Sequence, residues 1–257
     1  MKKIIIGILV TMGCIGYFIY DARPDGLLHV YFLDVGQGDS ILIRTPKGHN
    51  ILIDGGPSNG VMSELKDVLP FFDTTLDYVL LTHPDRDHIE GLLSVLQRYP
   101  VKKVMVSGVY TKSGLLKSFL KIIQDKKIVY MLADQFSDIK FDDEVTLDIL
   151  FPFISNIVYM EKANNYSLIT KMIYGEHEIL FTGDSEAPQE NILLKANVDL
   201  AADILKVGHH GSKTSSQEKF LDAVQSEYAV ISLQKGNSYG HPHASVINSL
   251  QKRHIKI

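Results

Sequence analysis

The chain predicts an α/β (α+β) fold in which two sheets pack face to face with helices on their outer sides. Three observations predict it: strand-like runs come in two batches, each batch is followed by helix-like segments, and the apolar runs between turns are short and β-branched. The first batch opens with HVYFLDV (His29 to Val35), SILIRT (Ser40 to Thr45) and NILIDGG (Asn50 to Gly56), separated by the turn sequences GQGD and PKGH, so these three are expected as neighbours in one sheet. A helix is expected over roughly Val61 to Leu69. In DYVLLTH, Tyr78 to Leu81 form a continuous apolar run, the pattern of a strand buried on both faces. From about His88 to Gln97 the residues Ile89, Leu92, Leu93 and Leu96 recur at helical spacing. The second batch places strands at Val104 to Val106, Ile128 to Leu132, Val145 to Leu150, Ser167 to Ile173, Glu178 to Phe181, Asp203 to Val207 and Tyr228 to Ser232. Helices fall near Gly114 to Gln124, Pro188 to Lys195, Gln217 to Ala223 and Ala244 to Lys252, and the final RHIKI reads as the beginning of another strand.

Composition bounds the function. With 45% hydrophobic and 22% charged residues over 257 positions, the chain suits a globular body with a sizeable core rather than extended disorder. A formal net charge of -4 gives no global attraction to polyanions, so contact with nucleic acid has to come from a local patch. The single cysteine, Cys14, excludes an intramolecular disulfide and a cysteine-rich zinc site, which leaves His, Asp and Glu to hold any metal. The N-terminus is a separate object. Lys2 and Lys3 precede the uncharged apolar run from Ile4 to Tyr20, whose length and flanks read as a membrane anchor over residues 1–20, or a signal segment. A linker over 21–28 then leads to one domain over 29–257, placed outside the cytoplasmic membrane, or secreted if the segment is cleaved. No sequence feature points to a protein partner.

The segment LTHPDRDHIEGL crowds His83, Asp85, Asp87 and His88 into six residues between a buried strand and a helix. Without a compensating charge these groups would repel one another and desolvate badly, and a divalent cation supplies that charge. Alternate residues His83 and Asp85 point to one side of an extended loop while Asp87 and His88 turn to another, so two adjacent metal sites are expected. Two other strands end in potential ligands. ILFTGDSE ends on Asp184, a carboxylate able to bridge two ions, and ILKVGHHGS ends on His209 and His210 between glycines that let the backbone pass close to a site.

Taken in order, FLDVGQGDSILI, ILIDGG, LTHPDRDHIEGL, NNYSLI, ILFTGD, LKVGHHGS and GHPH resemble the metallo-β-lactamase superfamily. More narrowly, they resemble the β-lactamase-like domain of ComEC-type DNA-internalisation competence proteins. The resemblance implies a four-layer αββα sandwich with a binuclear metal hydrolase site at one edge. Where the superfamily's first motif has a second histidine, this chain has Asp85, and NNYS stands where an isolated histidine is usual. The implied ligands are His83, Asp85 and Asp184 for one ion and Asp87, His88, Asp184 and one of His209 or His210 for the other. His210 is expected as the ligand, with His209 as an acid/base group. His241 and His243 are expected to reach the site as proton donor or substrate anchor, Asn164 and Ser167 to orient substrate, Asp39 to orient a ligand histidine, and Asp54 to stabilise a nearby turn. Carboxylate for imidazole makes manganese as suitable as zinc. The expected activity is phosphodiester hydrolysis, with DNA as substrate. An envelope phosphodiesterase of phosphorylcholine-esterase type and a membrane-tethered binding module without activity are the alternatives.

Overall fold

The computed structural model describes residues 23–257 apart from 71, 72, 142 and 143, together with positions 4, 6–9, 11–13 and 16 near the N-terminus. The expected anchor thus lies largely outside the described residues. Among the described residues no helix is long and apolar enough to cross a membrane.

The first sheet takes the order β1-β2-β3-β4-β5-β7 and the second β14-β13-β12-β11-β9-β8. In the first, β1 (His29–Phe32), β2 (Ile41–Arg44) and β3 (Asn50–Ile53) form an antiparallel meander, and β4 (Leu76–Leu81), β5 (Val101–Val106) and β7 (Val129–Leu132) continue it in parallel. In the second, β8 (Ile139–Lys140), β9 (Val145–Phe151), β11 (Ile169–Tyr174) and β12 (His177–Phe181) pair antiparallel, and β13 (Ile204–Lys206) and β14 (Tyr228–Val230) join in parallel. The final segment adds a parallel bridge between Lys256 and Tyr228. A third, two-stranded sheet of β6 (Val109–Tyr110) and β10 (Val158–Tyr159) was not legible in the sequence, because two residues per strand carry no periodicity.

The period of two in the strands decides the layers. Ile41, Ile43, Ile51, Ile53, Leu80 and Met105 turn inward to meet Val145, Leu147, Ile149, Met172, Ile179 and Phe181 of the facing sheet. Their neighbours Leu42, Leu52, Val79, Leu81, Val104 and Val106 turn outward, against α1 (Gly60–Val68), α2 (Arg86–Arg98) and α3 (Gly114–Lys126). On the other side Leu180 and Leu205 pack on α4 (Ala187–Lys195), α5 (Glu218–Val224) and α6 (Ala244–Lys252). The result is the expected four-layer αββα sandwich. It reads as nearly continuous apolar runs because each central strand is buried on both faces.

Helix α2 positions the crowded motif. It begins at Arg86, two residues earlier than the apolar spacing indicates, so Asp87 and His88 ride on its first turn. Asp85 occupies the cap position, yet its carboxylate makes no capping bond; only its carbonyl accepts, from the amides of His88 and Ile89. Ile89, Leu92, Val95 and Leu96 are fully buried, each worth roughly 1.5–3 kcal/mol relative to exposure. The helix lies directly on the loop after β3: the Gly55 amide donates to the His88 carbonyl at 2.8 Å and the Gly91 amide to the Gly56 carbonyl at 3.0 Å. A Cβ on Gly91 would run into the Gly55 carbonyl oxygen. Gly91→Ala is therefore expected to lower the urea unfolding free energy by about 2 kcal/mol, within the range for overpacking. An unchanged urea midpoint would show that α2 is free to move away from this loop.

Candidate metal centre

Four strand ends converge at one edge of the sandwich. β3 runs into Asp54, β4 into Thr82 and His83, β12 into Asp184, and β13 into His209 and His210. The carboxyl ends of parallel strands are where clefts open in sheets of this kind.

Asp184 is the hub of the cluster. Its Oδ2 lies 3.4 Å from His88 Nε2 and 3.4 Å from His210 Nε2, and 3.9 Å from Nε2 of both His83 and His209. Asp87 Oδ2 stands 3.4 Å from His210 Nε2, and Asp85 Oδ2 stands 3.7 Å from His83 Nε2. One donor atom each from Asp87, His88, Asp184 and His210 lies within 4.8 Å of the other three.

The ring protons can be assigned from the partners behind each histidine. The Thr82 hydroxyl donates its one proton to Asp54 Oδ2 at 2.6 Å. Toward His83 it can only accept, so His83 Nδ1–H donates to it at 3.0 Å. His88 Nδ1–H donates to Asp54 Oδ2 at 2.7 Å, and His210 Nδ1–H donates to the Ser232 carbonyl at 2.9 Å. In its neutral form each imidazole thereby aims a bare Nε2 lone pair into the cluster. His83, His88 and His210 are all but fully buried, and among the described residues none of their Nε2 atoms, nor Asp184 Oδ1, has a hydrogen-bond partner. Lone pairs and a carboxylate turned on one another in a dry site are costly unless a cation joins them. The donor set therefore fits a divalent cation.

Electrostatics point the same way. Burial pushes the His83 pKa down to about 3, reinforced by His88. For His88 burial also opposes charge, but Asp184 and Asp54 lift it well above the usual imidazole range. His210 is lifted to about 10, with burial overcome by Asp184 and Asp39. Burial would raise the carboxyls, yet His210 and His88 hold Asp87 at about 2 and Asp184 well below the usual range. The cluster recruits positive charge; protons take that role where no metal competes.

The adjacent histidines separate by backbone geometry. Both adopt left-handed conformations, with φ of 47° for His209 and 53° for His210, ahead of Gly211 at 79°. Such angles cost non-glycine residues on the order of 1 kcal/mol or more each and are kept where the surroundings impose them. The twist sends His210 inward, while His209 stays partly exposed with Nδ1 near Thr214 Oγ1 (3.2 Å) and Glu186 Oε1 (3.3 Å). Asn164 meets it, with Nδ2 3.3 Å from His209 Nε2.

The pocket over the cluster is lined by Gln37, Asp85, Asp87, Asn164, Asp184, His209, His210, Tyr239 and His241. His241 reaches it as expected, its ring 5.6 Å from that of His209. His243 stands behind His241 and caps α6; its Nδ1 accepts the Lys213 amide at 3.3 Å, and it does not line the pocket. Ser167, expected to face substrate, is fully buried, and its hydroxyl accepts the Asp184 amide at 3.3 Å. It holds the loop that carries the hub. Asp39 lies behind His210, with Oδ1 3.5 Å from its Nδ1, and pairs with the buried Lys206 at 2.7 Å. Asp54 does more than shape a turn, since it fixes both His88 and Thr82. Its backbone takes a left-handed φ of 57° in the IDGG turn.

The profile of the Metallo-beta-lactamase superfamily matches residues 33–235. Among curated proteins the chain is similar to ComE operon protein 3 of Bacillus subtilis, 31% identical over 250 residues, covering 89% of this chain and 31% of that protein. It is also similar to competence protein ComA of Neisseria gonorrhoeae, 28% identical over 255 residues, covering 97% of this chain and 33% of that protein. The chain spans about a third of the length of these relatives. Among solved structures, the metallo-beta-lactamase fold protein YhfI of Bacillus subtilis superposes with a TM-score of 0.54 at 13% identity, over 90% of this chain and 94% of that one. That identity speaks for the fold alone.

Proposed function

The chain belongs to the metallo-beta-lactamase superfamily, and on that footing we propose that it is a hydrolase dependent on two divalent cations, cutting phosphodiester bonds in DNA. The observation that carries this reading is the set of three buried histidines, each with Nδ1–H tied back and Nε2 bare, turned on the Asp184 carboxylate. Asp87, His88, Asp184 and His210 would hold one cation, and His83 and Asp85, beside Asp184, would hold the other. Carboxylates make up half of this donor set, which suits manganese as well as zinc. Such cations supply Lewis-acid polarisation of a phosphoryl group and acidification of water.

The protein's own groups do the rest. His209, partly exposed at the cleft and steadied through Nδ1, moves a proton at Nε2. Asn164 offers its amide to a substrate oxygen beside it. His241, pushed down to about 4 by burial and by His209 and His243, is neutral at pH 7 and anchors substrate by donating its ring N–H to an oxygen. DNA is favoured as substrate by the similarity to a protein named for competence. With a net charge of -4, attraction for DNA has to come from a local patch. The same similarity supports association with the cell envelope, for which the segment from Ile4 to Tyr20 is the anchor we propose. Its described side chains Ile4, Ile6, Ile8, Leu9 and Met12 are exposed.

The test is the full chain, purified without chelator and given manganese or zinc, with single-stranded DNA, double-stranded DNA and bis-p-nitrophenyl phosphate as substrates. Metal-dependent DNA cleavage that falls by at least about a hundredfold in Asp87→Ala is expected, the upper end of what loss of a metal-supporting residue costs. Cleavage of the small diester alone would replace DNA with an envelope phosphodiester, and no turnover with either metal would overturn the hydrolase.

A further inference from the structure

Beside the cluster the cleft widens into a groove of about 860 Å³, which shares Gln37, Asp87 and Tyr239 with the pocket over the cluster. That volume lies toward the upper end of the roughly 300–1,000 Å³ of ligand pockets. Its size and open side suit a section of a chain molecule continuing away from the bond being cut.

Tyr239 is the notable residue on its wall. The side chain is 65% exposed, although a tyrosine left in water adds little to folding. It is nevertheless held in place. The Asn237 side-chain amide donates to the carbonyls of Gln234 (3.0 Å) and His241 (2.7 Å), and its oxygen accepts the amides of Tyr239 (3.1 Å) and His241 (3.0 Å). The Gln234 amide in turn donates to Gln37 Oε1 at 3.3 Å, tying this loop to the opposite one. The Tyr239 ring lies nearly parallel to that of His241, at 25° and 5.7 Å between centroids. One aromatic face is thus preformed at the edge of the metal pocket. Two cations share the groove: Lys235 is exposed on the same loop, and Arg86 stands on the first turn of α2, its guanidinium paired with Glu90 through Nε and Nη2 only. Asp34 and Asp87 also line it, so the lining charges balance; the lysine and arginine can meet a single phosphate directly but give no attraction for a long duplex.

An aromatic face with a neighbouring lysine and arginine is the chemistry that receives a nucleotide: a flat base to stack and a phosphate to neutralise. We propose that this groove is a nucleotide subsite for a single strand, with a base stacked on Tyr239 and the adjoining phosphate met by Lys235 and Arg86. The inference rests on the phosphodiesterase reading and adds to it strandedness and a place for the neighbouring nucleotide. A base paired within a duplex has no free face for Tyr239, so duplex DNA would bind this subsite only where it frays.

The test is fluorescence anisotropy of a labelled single-stranded oligonucleotide with the full chain in EDTA, so that binding is read without turnover. Tyr239→Ala should weaken binding roughly tenfold or more, the effect of losing one stacked base, and Tyr239→Phe should restore it. With an abasic strand of equal length, the wild-type chain should lose a similar factor and Tyr239→Ala should not. Lys235→Ala combined with Arg86→Ala should flatten the salt dependence. Far-ultraviolet circular dichroism checks that each variant is folded. Equal affinity of wild type and Tyr239→Ala, or an equal loss on the abasic strand, overturns the subsite. Metal-dependent cleavage of bis-p-nitrophenyl phosphate, read in parallel, separates the two ideas. If it persists while the anisotropy differences are absent, only the subsite falls; if wild type cleaves neither it nor DNA with either metal, the hydrolase reading falls whatever the anisotropy shows.

Discussion

Asp184→Asn is expected to cut metal-dependent turnover by about a thousandfold or more while leaving far-ultraviolet circular dichroism unchanged. The substitution keeps shape and removes one charge. Asp184 Oδ2 sits 3.4 Å from Nε2 of both His88 and His210, and 3.9 Å from Nε2 of His83 and His209. At that spacing, and at an effective dielectric of about 20, a unit charge interacts with another by roughly 5 kcal/mol, and about 1.4 kcal/mol corresponds to a factor of ten in rate. An amide in its place presents two N–H protons where lone pairs are needed. Metal content by elemental analysis should fall with activity, since the hub serves both halves of the donor set. Full metal occupancy with undiminished turnover in Asp184→Asn would refute the cluster as the seat of reaction.

Much of this candidate centre is legible in the sequence because its side chains are local. His83, Asp85, Asp87 and His88 are neighbours along the chain, and Asp184 and the histidine pair each follow an apolar strand. The layers are legible for a similar reason, since double burial writes continuous apolar runs into β4 and β12. What escapes sequence reading is set by distant chain segments. That His210 rather than His209 turns into the cluster depends on two left-handed residues and on the Ser232 carbonyl, 22 positions away. Ser167 has the chemistry to bind substrate but is spent on the Asp184 amide, and His243 on the Lys213 amide. Tyr239 and Gln37 become meaningful only once two loops almost 200 residues apart, joined at Gln234, close beside the site. Lys206 reads as an ordinary residue near a strand end and is in fact fully buried.

That lysine carries the largest expected effect on stability. Lys206 Nζ lies 2.7 Å from Asp39 Oδ2 and donates to the Val207 carbonyl at 3.0 Å, with both side chains of the ion pair at most 2% exposed. Lys206→Met keeps the stem that fills the space and removes the ammonium, leaving the Asp39 carboxylate buried with Oδ1 already lacking a hydrogen-bond partner. Breaking a buried pair from one side costs about 3–5 kcal/mol, whereas replacing both partners with apolar groups of similar volume is often neutral. Lys206→Met should therefore lower the unfolding free energy by that amount, and adding Asp39→Leu should recover most of it. A double-mutant cycle in urea reads the coupling directly. Asp39 also stands 3.5 Å from His210 Nδ1, so the double variant separates two roles. If stability returns and metal affinity does not, the pair serves chiefly to hold His210 toward Asp184; if both return, it is a support for the sheet and the Ser232 carbonyl alone keeps the ring in place.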